Sequence, residues 1–210
     1  MINPLVVVNL KTYQQGEESL KLAKMLEGVD KNIIIGAEAS DLYRISRETK
    51  LQIYCQHVES MSPGRNTGYI IPESAQKNGA IGTFLNHSEH KLNFDVLKET
   101  IKRCKEIKLK TIVFASSLSE AIKIEKLAPD YIIYEPPLLV AGDISVSTAK
   151  PEIISRIAKK LKTPFLVGAG IKTSADVKKS LELGAIGIAV SSAVTTAKNP
   201  ERALRELVGI

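Results

Sequence analysis

Short apolar segments alternate with amphipathic segments along the whole chain. Apolar runs of this length are typical of strands that are buried on both faces. Eight of them are predicted as strands, at residues 5–10, 33–39, 51–55, 81–85, 111–115, 131–134, 164–167 and 187–190. Helical periodicity follows each run, at residues 17–26, 41–49, 73–77, 94–107, 119–127, 151–161, 175–183 and 200–207. Eight βα units predict a closed (β/α)8 barrel, with a doubly wound open sheet as the alternative.

Several predicted helices begin with recognisable capping chemistry. Two pairs have the spacing of a capping box, Ser117 with Glu120 and Thr173 with Asp176. Asn199-Pro200 predicts an N-cap followed by proline at the first helical position. These signals agree with the helix starts that the periodicity gives.

The composition is that of an ordinary soluble globular protein, with 44% hydrophobic and 25% charged residues. We found no linker, low-complexity segment or charge block, so a single domain over residues 1–210 is expected. Because such barrels usually have ~250 residues, this one needs short helices. The net charge of +6 would suit an anionic partner, but aromatic residues are only 5% and do not interleave with the basic ones. Nucleic acid is therefore not expected as a partner.

The two cysteines, Cys55 and Cys104, show no metal-ligand spacing. They are expected to be reduced thiols in or near the core, which agrees with a cytoplasmic location. No apolar run approaches the ~18 residues that a transmembrane helix needs, and the first residues lack the basic start of a signal peptide. A soluble protein without a membrane partner is expected.

In a parallel barrel the carboxyl ends of the strands meet at one mouth, where catalytic groups collect. Glu135 directly follows the strand at 131–134, and Pro136-Pro137 cannot continue that strand. Residues 138–147 contain one glycine and several small residues, and we predict that they form a lid next to the prolines. A surface glutamate before an ordinary loop is the alternative.

Two further strand ends supply polar side chains to the same mouth. Asn9 and Lys11 are two residues apart, so both should point into it, although a lone lysine could extend to solvent. His87 lies two residues after the end of the fourth predicted strand, which is residue 85. If Ser88 and Glu89 begin a helical turn, its positive end would keep the imidazole neutral, as a hydrogen-bond donor to a substrate oxygen.

The seventh and eighth strands end in small residues, Gly168-Ala169-Gly170 and Ser191-Ser192. Small residues let backbone N–H groups approach an anion, and barrels frequently bind phosphate at these two strands. Tight packing is the other explanation for the glycines. No metal site is predicted, because His57 and His90 are the only other histidines. The set suits proton abstraction next to a carbonyl: a base, an electrophile and a cation.

Five motifs, in this order, resemble those of the triosephosphate isomerase family. The resemblance runs from about Val6 to the C-terminus and is most similar to the compact archaeal branch. The motifs are Asn9-Leu10-Lys11, Gly82-Thr83 with Asn86-His87-Ser88-Glu89, Tyr134-Glu135-Pro136-Pro137, Gly168-Ala169-Gly170-Ile171 and Gly187-Ile188-Ala189-Val190-Ser191-Ser192.

The resemblance implies a TIM barrel that interconverts dihydroxyacetone phosphate and D-glyceraldehyde 3-phosphate through an enediol(ate), in glycolysis and gluconeogenesis, without cofactor or metal. Glu135 would carry the proton between C1 and C2, and His87 would polarise the carbonyl and shuttle hydroxyl protons. Lys11 would hold the phosphate and offset negative charge, with Asn9 donating to the oxygen. Phosphate would contact N–H groups at Val140 or nearby, Gly170, Ser191 and Ser192.

The resemblance also implies supporting parts. Ser88 and Glu89 would support the histidine, and residues 138–147 would close over the substrate and exclude water. The family assembles through the loop at 65–68, in which Thr67 would insert beside a neighbour's Asn9–Lys11 region. A homodimer or homotetramer is expected.

Two positions depart from the family pattern. Ala141-Gly142-Asp143 stands where the compact branch usually has Gly-Thr-Gly, and His90, followed by Lys91, stands where a basic residue is usual. Two other functions stay open. One is a different phosphate-binding barrel, an isomerase or lyase acting on a phosphorylated sugar or indole precursor. The other is a ligand-binding barrel without catalysis, which is suggested by the acidic residue Asp143 in the predicted lid.

Overall fold

Eight parallel strands close into a barrel in a computed structural model, which describes residues 4–30, 32–140 and 145–209. Each strand pairs with the next along the chain, and the last pairs with the first. The predicted barrel is confirmed and the open sheet is wrong. The predicted strand ends agree within two residues with β1 Leu5–Asn9, β2 Ile34–Ala37, β3 Gln52–Cys55, β4 Gly82–Leu85, β5 Lys110–Ala115, β6 Tyr131–Tyr134, β7 Phe165–Gly168 and β8 Gly187–Val190.

The eight predicted helices are all present and surround the barrel. Two four-residue helices, at Val146–Ala149 and Ser192–Thr195, were not predicted, and a 3-10 turn at Pro137–Leu139 follows β6. The helices are α1 Gly16–Glu27, α2 Leu42–Glu48, α3 Pro72–Lys77, α4 Phe94–Glu106, α5 Leu118–Glu125, α6 Val146–Ala149, α7 Pro151–Lys160, α8 Ser174–Glu182, α9 Ser192–Thr195 and α10 Pro200–Val208. The end of the predicted lid is thus the start of α6, where Val146 and Ser147 are buried. The lid-tip residues 141–144 lie outside the described residues.

The interior of the barrel is a packed layer separate from the larger core between strands and helices. Three aromatic rings fill much of it: Phe84 lies 6.0 Å from Tyr54 and 5.6 Å from Phe114, between ring centroids. Two strand glycines make room for them, because a Cβ at Gly36 would overlap Phe84 and a Cβ at Gly82 would overlap Tyr54. The rest of the layer is aliphatic: Val7, Ile34, Ile112, Ile133, Leu166 and Ala189. This layer closes the floor of the mouth.

The predicted helix caps are largely confirmed. Thr173 and Asp176 make both bonds of a capping box, and Asn199 accepts a bond from the Arg202 N–H. For the remaining pair, Ser117 accepts from the backbone N–H of Glu120, but the Glu120 carboxylate does not return to Ser117. Half of that capping box is therefore wrong, and the carboxylate has other partners.

Cys55 and Cys104 are free and buried, as predicted. Burial raises the pKa of Cys55 to about 11 and that of Cys104 to about 12, so both thiols stay protonated. None of the helices in the described ranges has the length and apolar character that a membrane span requires.

Candidate active site

The carboxyl ends of the strands surround a cavity of about 60 Å³, room for a few water-sized groups. All eight residues predicted to catalyse or to hold phosphate line it: Asn9, Lys11, His87, Glu135, Val140, Gly170, Ser191 and Ser192. Residues from five different strand ends or the loops after them thus meet in one small space. Tyr13, Phe114 and Lys172 also line it and were not predicted.

The end of β1 is held by hydrogen bonds that cross to neighbouring strands. Asn9 Oδ1 accepts from the Lys11 N–H at 3.0 Å and from Gln56 Nε2 at 3.3 Å. Gln56 Nε2 also contacts the carbonyl oxygens of Lys11 at 2.9 Å and Gly36 at 3.2 Å. Because Oδ1 is the acceptor in these bonds, the Asn9 amide presents its donor group, Nδ2, to a ligand. Gln56 was missed, since nothing local marks a glutamine after β3.

Lys11 forms an ion pair with Glu89 on the turn after β4. Its Nζ lies 2.5 Å from Glu89 Oε1, and only 15% of the lysine side chain is exposed, against 58% for the glutamate. The partner fixes the long lysine side chain in the mouth, while the exposed carboxylate is partly compensated by solvent. The ion pair therefore places the ammonium at the wall of the cavity.

The turn that carries His87 leaves the imidazole with one acceptor and one donor. The backbone N–H of Glu89 donates to His87 Nδ1 at 3.1 Å, and the N–H of His90 donates to the His87 carbonyl at 2.9 Å. A nitrogen that accepts a backbone N–H bond carries no proton, so the neutral tautomer has its proton on Nε2. Ser88 and Glu89 form a hydrogen-bonded turn, and the expected helical start is absent, since the next helix, α4, begins at Phe94. His87 packs edge-on against Phe114 at 4.7 Å.

Glu135 follows β6 at the predicted place and turns its carboxylate towards the histidine. Oε1 lies 3.2 Å from His87 Nε2, with the two side chains 11% and 10% exposed. This is a contact without an aligned hydrogen bond, since Oε1 is buried and has no hydrogen-bond partner among the described residues. Gly168 makes room for the carboxylate, because a Cβ there would lie 2.6 Å from Oε2.

The ends of β7 and β8 form the opposite side of the cavity. Ala169 and Gly170 both have left-handed backbone angles, with φ of 79° and 67°. Ser191 Oγ is buried and has no hydrogen-bond partner within the described ranges. Ser192 begins α9, whose first N–H groups have no partner inside the helix. Lys172 lines the same side, so small residues, a hydroxyl and a cation meet there.

Val140 occupies its predicted place in the cavity but its N–H group is used elsewhere. The 3-10 turn after β6 ends at this residue, and the Val140 N–H donates to the Pro137 carbonyl at 3.1 Å. In this structure Val140 therefore contributes to the cavity wall, while its N–H group is already bonded and is not the expected free donor.

Three of the five non-glycine residues with positive φ in the described ranges lie at the mouth. They are Lys11 at 49°, Asn86 at 62° and Ala169 at 79°. Left-handed angles raise the energy of residues with a side chain, and they persist only where the surroundings hold them. Their position beside the cavity supports a functional role for this end of the barrel.

A second cavity of about 310 Å³ lies beside the first and shares Asn9, Lys11 and His87 with it. Its wall includes His57 and His90, whose ring centroids are 4.1 Å apart. Within the described ranges, no group of three or more His, Cys, Asp or Glu residues could hold a metal ion. Thr67 is exposed in the irregular stretch between β3 and α3.

The fold and the cavity define a (β/α)8-barrel protein with a carboxylate and an imidazole in contact at the carboxyl ends of its strands. Residues 4–208 match the triosephosphate isomerase family. The chain therefore belongs to the triosephosphate isomerase family, which confirms the resemblance found in the motifs.

Relatives from archaea are similar over nearly their whole length. The chain is 38% identical to triosephosphate isomerase from Saccharolobus solfataricus, over 98% of this chain and 95% of that one. It is 40% identical to the enzyme of the same name from Thermoplasma volcanium, over 97% and 98%. The crystal structure of triosephosphate isomerase from Bartonella henselae has a TM-score of 0.76 at 18% identity, over 97% and 98%, and this likeness concerns the fold alone.

Proposed function

We propose that this chain interconverts dihydroxyacetone phosphate and D-glyceraldehyde 3-phosphate, with Glu135, His87, Lys11 and Asn9 as its catalytic residues. The observation that carries the proposal is the 3.2 Å contact between Glu135 Oε1 and His87 Nε2 inside one small cavity. A carbonyl and its neighbouring carbon placed there would meet a base and a hydrogen-bond donor together. Family membership and the named archaeal relatives support the same reaction.

Glu135 takes the proton from one carbon of the substrate and returns it to the neighbouring carbon. Its Oε1 has no hydrogen-bond partner among the described residues, so no bond within the described chain has to be broken before it accepts the proton. His87 is neutral with its proton on Nε2, and it donates to the carbonyl oxygen while charge develops there. By moving a proton between the two substrate oxygens, His87 lets the negative charge of the enediolate pass from one oxygen to the other without solvent.

Lys11 and Asn9 stabilise the charged intermediate from the side of β1. The Lys11 ammonium is held at the cavity wall by Glu89, and Asn9 is oriented by Gln56. Both groups are fixed before the substrate arrives, which avoids reorganisation while the oxyanion forms. No cofactor takes part in this scheme, since a carboxylate, an imidazole and a cation suffice for the proton transfers.

The phosphate group is proposed to bind at the ends of β7 and β8. The left-handed backbone at Gly170, the N–H groups that begin α9 at Ser192 and the Ser191 hydroxyl supply donors. Lys172, which lines this side, adds positive charge. For Val140, an N–H contact to phosphate requires that the bond to Pro137 opens, so we assign this residue to the lid that covers the substrate.

We further propose that the protein is one domain, that it acts in the cytoplasm and that it self-associates. Thr67 stands on an exposed loop, and a cavity of about 310 Å³ lies beside Lys11, where Thr67 of a second copy would insert. The two buried free thiols agree with a reducing compartment. Light scattering decides the assembly: one, two or four chain masses mean a monomer, a dimer or a tetramer.

A coupled assay with D-glyceraldehyde 3-phosphate tests the function. We expect turnover by the native chain and a fall in kcat of about 10²–10⁴ in Glu135→Gln, which removes the base. Glu99→Gln, an exposed residue on α4, is the matched control and should be unchanged. A panel of other phosphorylated sugars and indole precursors is run in parallel. Turnover of one of these but not of the triose phosphate would replace the proposal, and binding without any turnover would indicate a non-catalytic barrel.

A further inference from the structure

One carboxylate outside the cavity joins several parts of the turn that carries His87. Glu120 lies in the first turn of α5 and does not line the cavity. Its Oε2 accepts from the Ser116 N–H at 2.7 Å and from the Ser116 hydroxyl at 2.5 Å. These two bonds fasten the carboxylate to the loop directly after β5. The side chain is therefore fixed with Oε1 available to the neighbouring β4 turn.

Oε1 of Glu120 binds both ends of that turn. It accepts from Asn86 Nδ2 at 2.9 Å and from Lys91 Nζ at 2.5 Å. Asn86 precedes the histidine and Lys91 lies four residues after it. A single oxygen thus bridges the two residues that bracket His87, and it does so across the boundary between two βα units.

Asn86 needs such support because of its conformation. It is 2% exposed and has a left-handed φ of 62°. Its Oδ1 accepts from the Leu92 N–H at 3.1 Å, which closes the turn, and its Nδ2 also donates to the Phe114 carbonyl at 2.8 Å. The amide therefore connects the turn to β5, and Glu120 holds the amide in the orientation that both bonds require.

The second partner of Glu120, Lys91, carries the charge that makes this bridge strong. Burial by itself would raise the pKa of Glu120, but bonds from Lys91, Ser116 and Asn86 together outweigh it and lower the pKa to about 2. The carboxylate is therefore charged at any working pH, and its bond with the lysine is a charge-assisted one. The lysine follows directly after the His90 position, where the family pattern is broken.

We propose that Glu120 is a positioning residue for His87. Glu120 acts through Asn86 and Lys91, and it thereby fixes the imidazole against Phe114 and Glu135. The inference rests on the proposed function for its effect on turnover, but the geometry it concerns is independent of that function. Glu120 touches neither the cavity nor the histidine, so its loss should leave substrate binding nearly unchanged while the electrophile moves. Small displacements of a catalytic group reduce the rate strongly.

Glu120→Gln is the direct test, since it keeps the size of the side chain and removes the charge. We expect kcat to fall about 10- to 100-fold with KM within about twofold of native. Glu120→Asp keeps the charge at shorter reach and should recover part of the loss. Glu125→Gln, on the same helix, is the matched control, because that carboxylate accepts from the Thr163 N–H on the other side of α5. It should affect stability and leave kcat unchanged.

Nitrogen NMR of histidine-labelled protein supplies a readout that a purely structural role would not move. The chain has three histidines, so the ring signals of His87 can be assigned by comparison with His57→Gln and His90→Gln. In the native chain we expect the neutral tautomer with the proton on Nε2. In Glu120→Gln the His87 signals should shift or broaden, whereas in Glu125→Gln they should remain.

Asn86→Gly extends the test, because glycine accepts the left-handed backbone and removes the amide. If Glu120 acts through Asn86, the double variant should lose less activity than the product of the two single losses. If the native chain turns over and Glu120→Gln keeps both its kcat and its His87 signals, the inference about Glu120 is overturned and the proposed function stands. Absent turnover in the native chain would overturn the proposed function, and the NMR comparison would still decide the inference.

Discussion

The two sides of the barrel mouth differ in how their polar atoms are satisfied. On the side of β4, His87 Nδ1, Lys11 Nζ and the Asn86 amide all have partners within the chain. On the side of β7 and β8, Ser191 Oγ is buried without a hydrogen-bond partner among the described residues. The carboxylate of Glu135 stands between the two sides, and its Oε1 is also unpartnered.

This difference separates two tasks of the site. His87, Lys11 and Asn9, which we propose act on the reacting atoms, are held by the protein before a ligand arrives. Donors fixed in advance make electrostatic stabilisation effective. The Ser191 hydroxyl, which we propose contacts the phosphate, has no hydrogen-bond partner among the described residues and is left for the ligand to satisfy. A buried hydroxyl without a partner destabilises the fold by about 1–3 kcal/mol. The unpaired Ser191 hydroxyl therefore lowers the stability of the ligand-free chain, and a bound ligand would restore it.

Removal of the histidine should have the largest effect. His87→Ala deletes the proposed donor to the substrate oxygen, and we expect kcat to fall by about 10²–10⁴ with the barrel intact. His90→Ala removes an imidazole that lies outside the first cavity and serves as the control. Steady-state kinetics and circular dichroism measure both. If His87→Ala turns over at the native rate, the role assigned to the β4 side is wrong.

A smaller loss should follow when the base is displaced without being removed. In Gly168→Ala the new Cβ would lie 2.6 Å from Glu135 Oε2, so the carboxylate must shift from its present position. Misplacement of a catalytic group by about 1 Å lowers the rate by roughly 100-fold. Gly64→Ala is the control, because its nearest neighbour would be 3.9 Å away. A Gly168→Ala enzyme with native kcat would mean that the carboxylate can act from another position.

The opposite side should respond through binding instead of rate. Ser191→Ala removes the unpartnered hydroxyl, and we expect KM to rise about tenfold with kcat little changed, as for a lost hydrogen bond to a charged group. The same change should stabilise the ligand-free chain by about 1 kcal/mol, because a buried unsatisfied oxygen disappears. Urea unfolding with and without inorganic phosphate measures both effects. A loss of stability in the ligand-free variant would show that the hydroxyl has a structural partner.

The sequence predicts the fold well because a barrel repeats one simple pattern. Tyr131–Tyr134 and Gly187–Val190 have the predicted bounds, since turn-forming residues or small residues mark their ends. Helices α6 and α9 were missed because four residues are too few for helical periodicity to register. Their places depend on packing against the barrel, where Val146 and Val194 are fully buried.

The residues that line the cavity were predictable because strand ends converge, whereas the groups that support them were not. Glu120 has the spacing of a capping residue with Ser117, and this local reading hides its other contacts. Its partners Asn86 and Lys91 are 34 and 29 residues away, and they meet it only through the register of β4 and β5. A single sequence carries no signal for such a pairing. The same holds for Gln56 and Asn9, which are 47 residues apart.

The smallest expected effect concerns the wall of the second cavity, next to the fixed side. Burial, helped by the neighbouring His90, lowers the pKa of His57 to about 4, below its ordinary value of 6.5. Unfolding exposes this imidazole, so between pH 6.5 and pH 4 the unfolded chain binds a proton that the folded chain does not. Stability contributed by the neutral His57 is complete above pH 6.5 and is lost as the pH falls towards 4.

His57→Gln should therefore flatten the pH dependence of the unfolding free energy in this window, by up to about 1.4 kcal/mol per pH unit. Above pH 7 the variant should differ from the native chain by a constant amount only. Urea unfolding at several pH values measures the slope, and His90→Gln should flatten it less, because that residue is exposed and acts only as a neighbour. Equal slopes in the native chain and His57→Gln would mean that the pKa of His57 is the same in the folded chain as in the unfolded chain. The second cavity, which Lys11 also lines, would then gain a positive charge on His57 as the pH falls below that pKa.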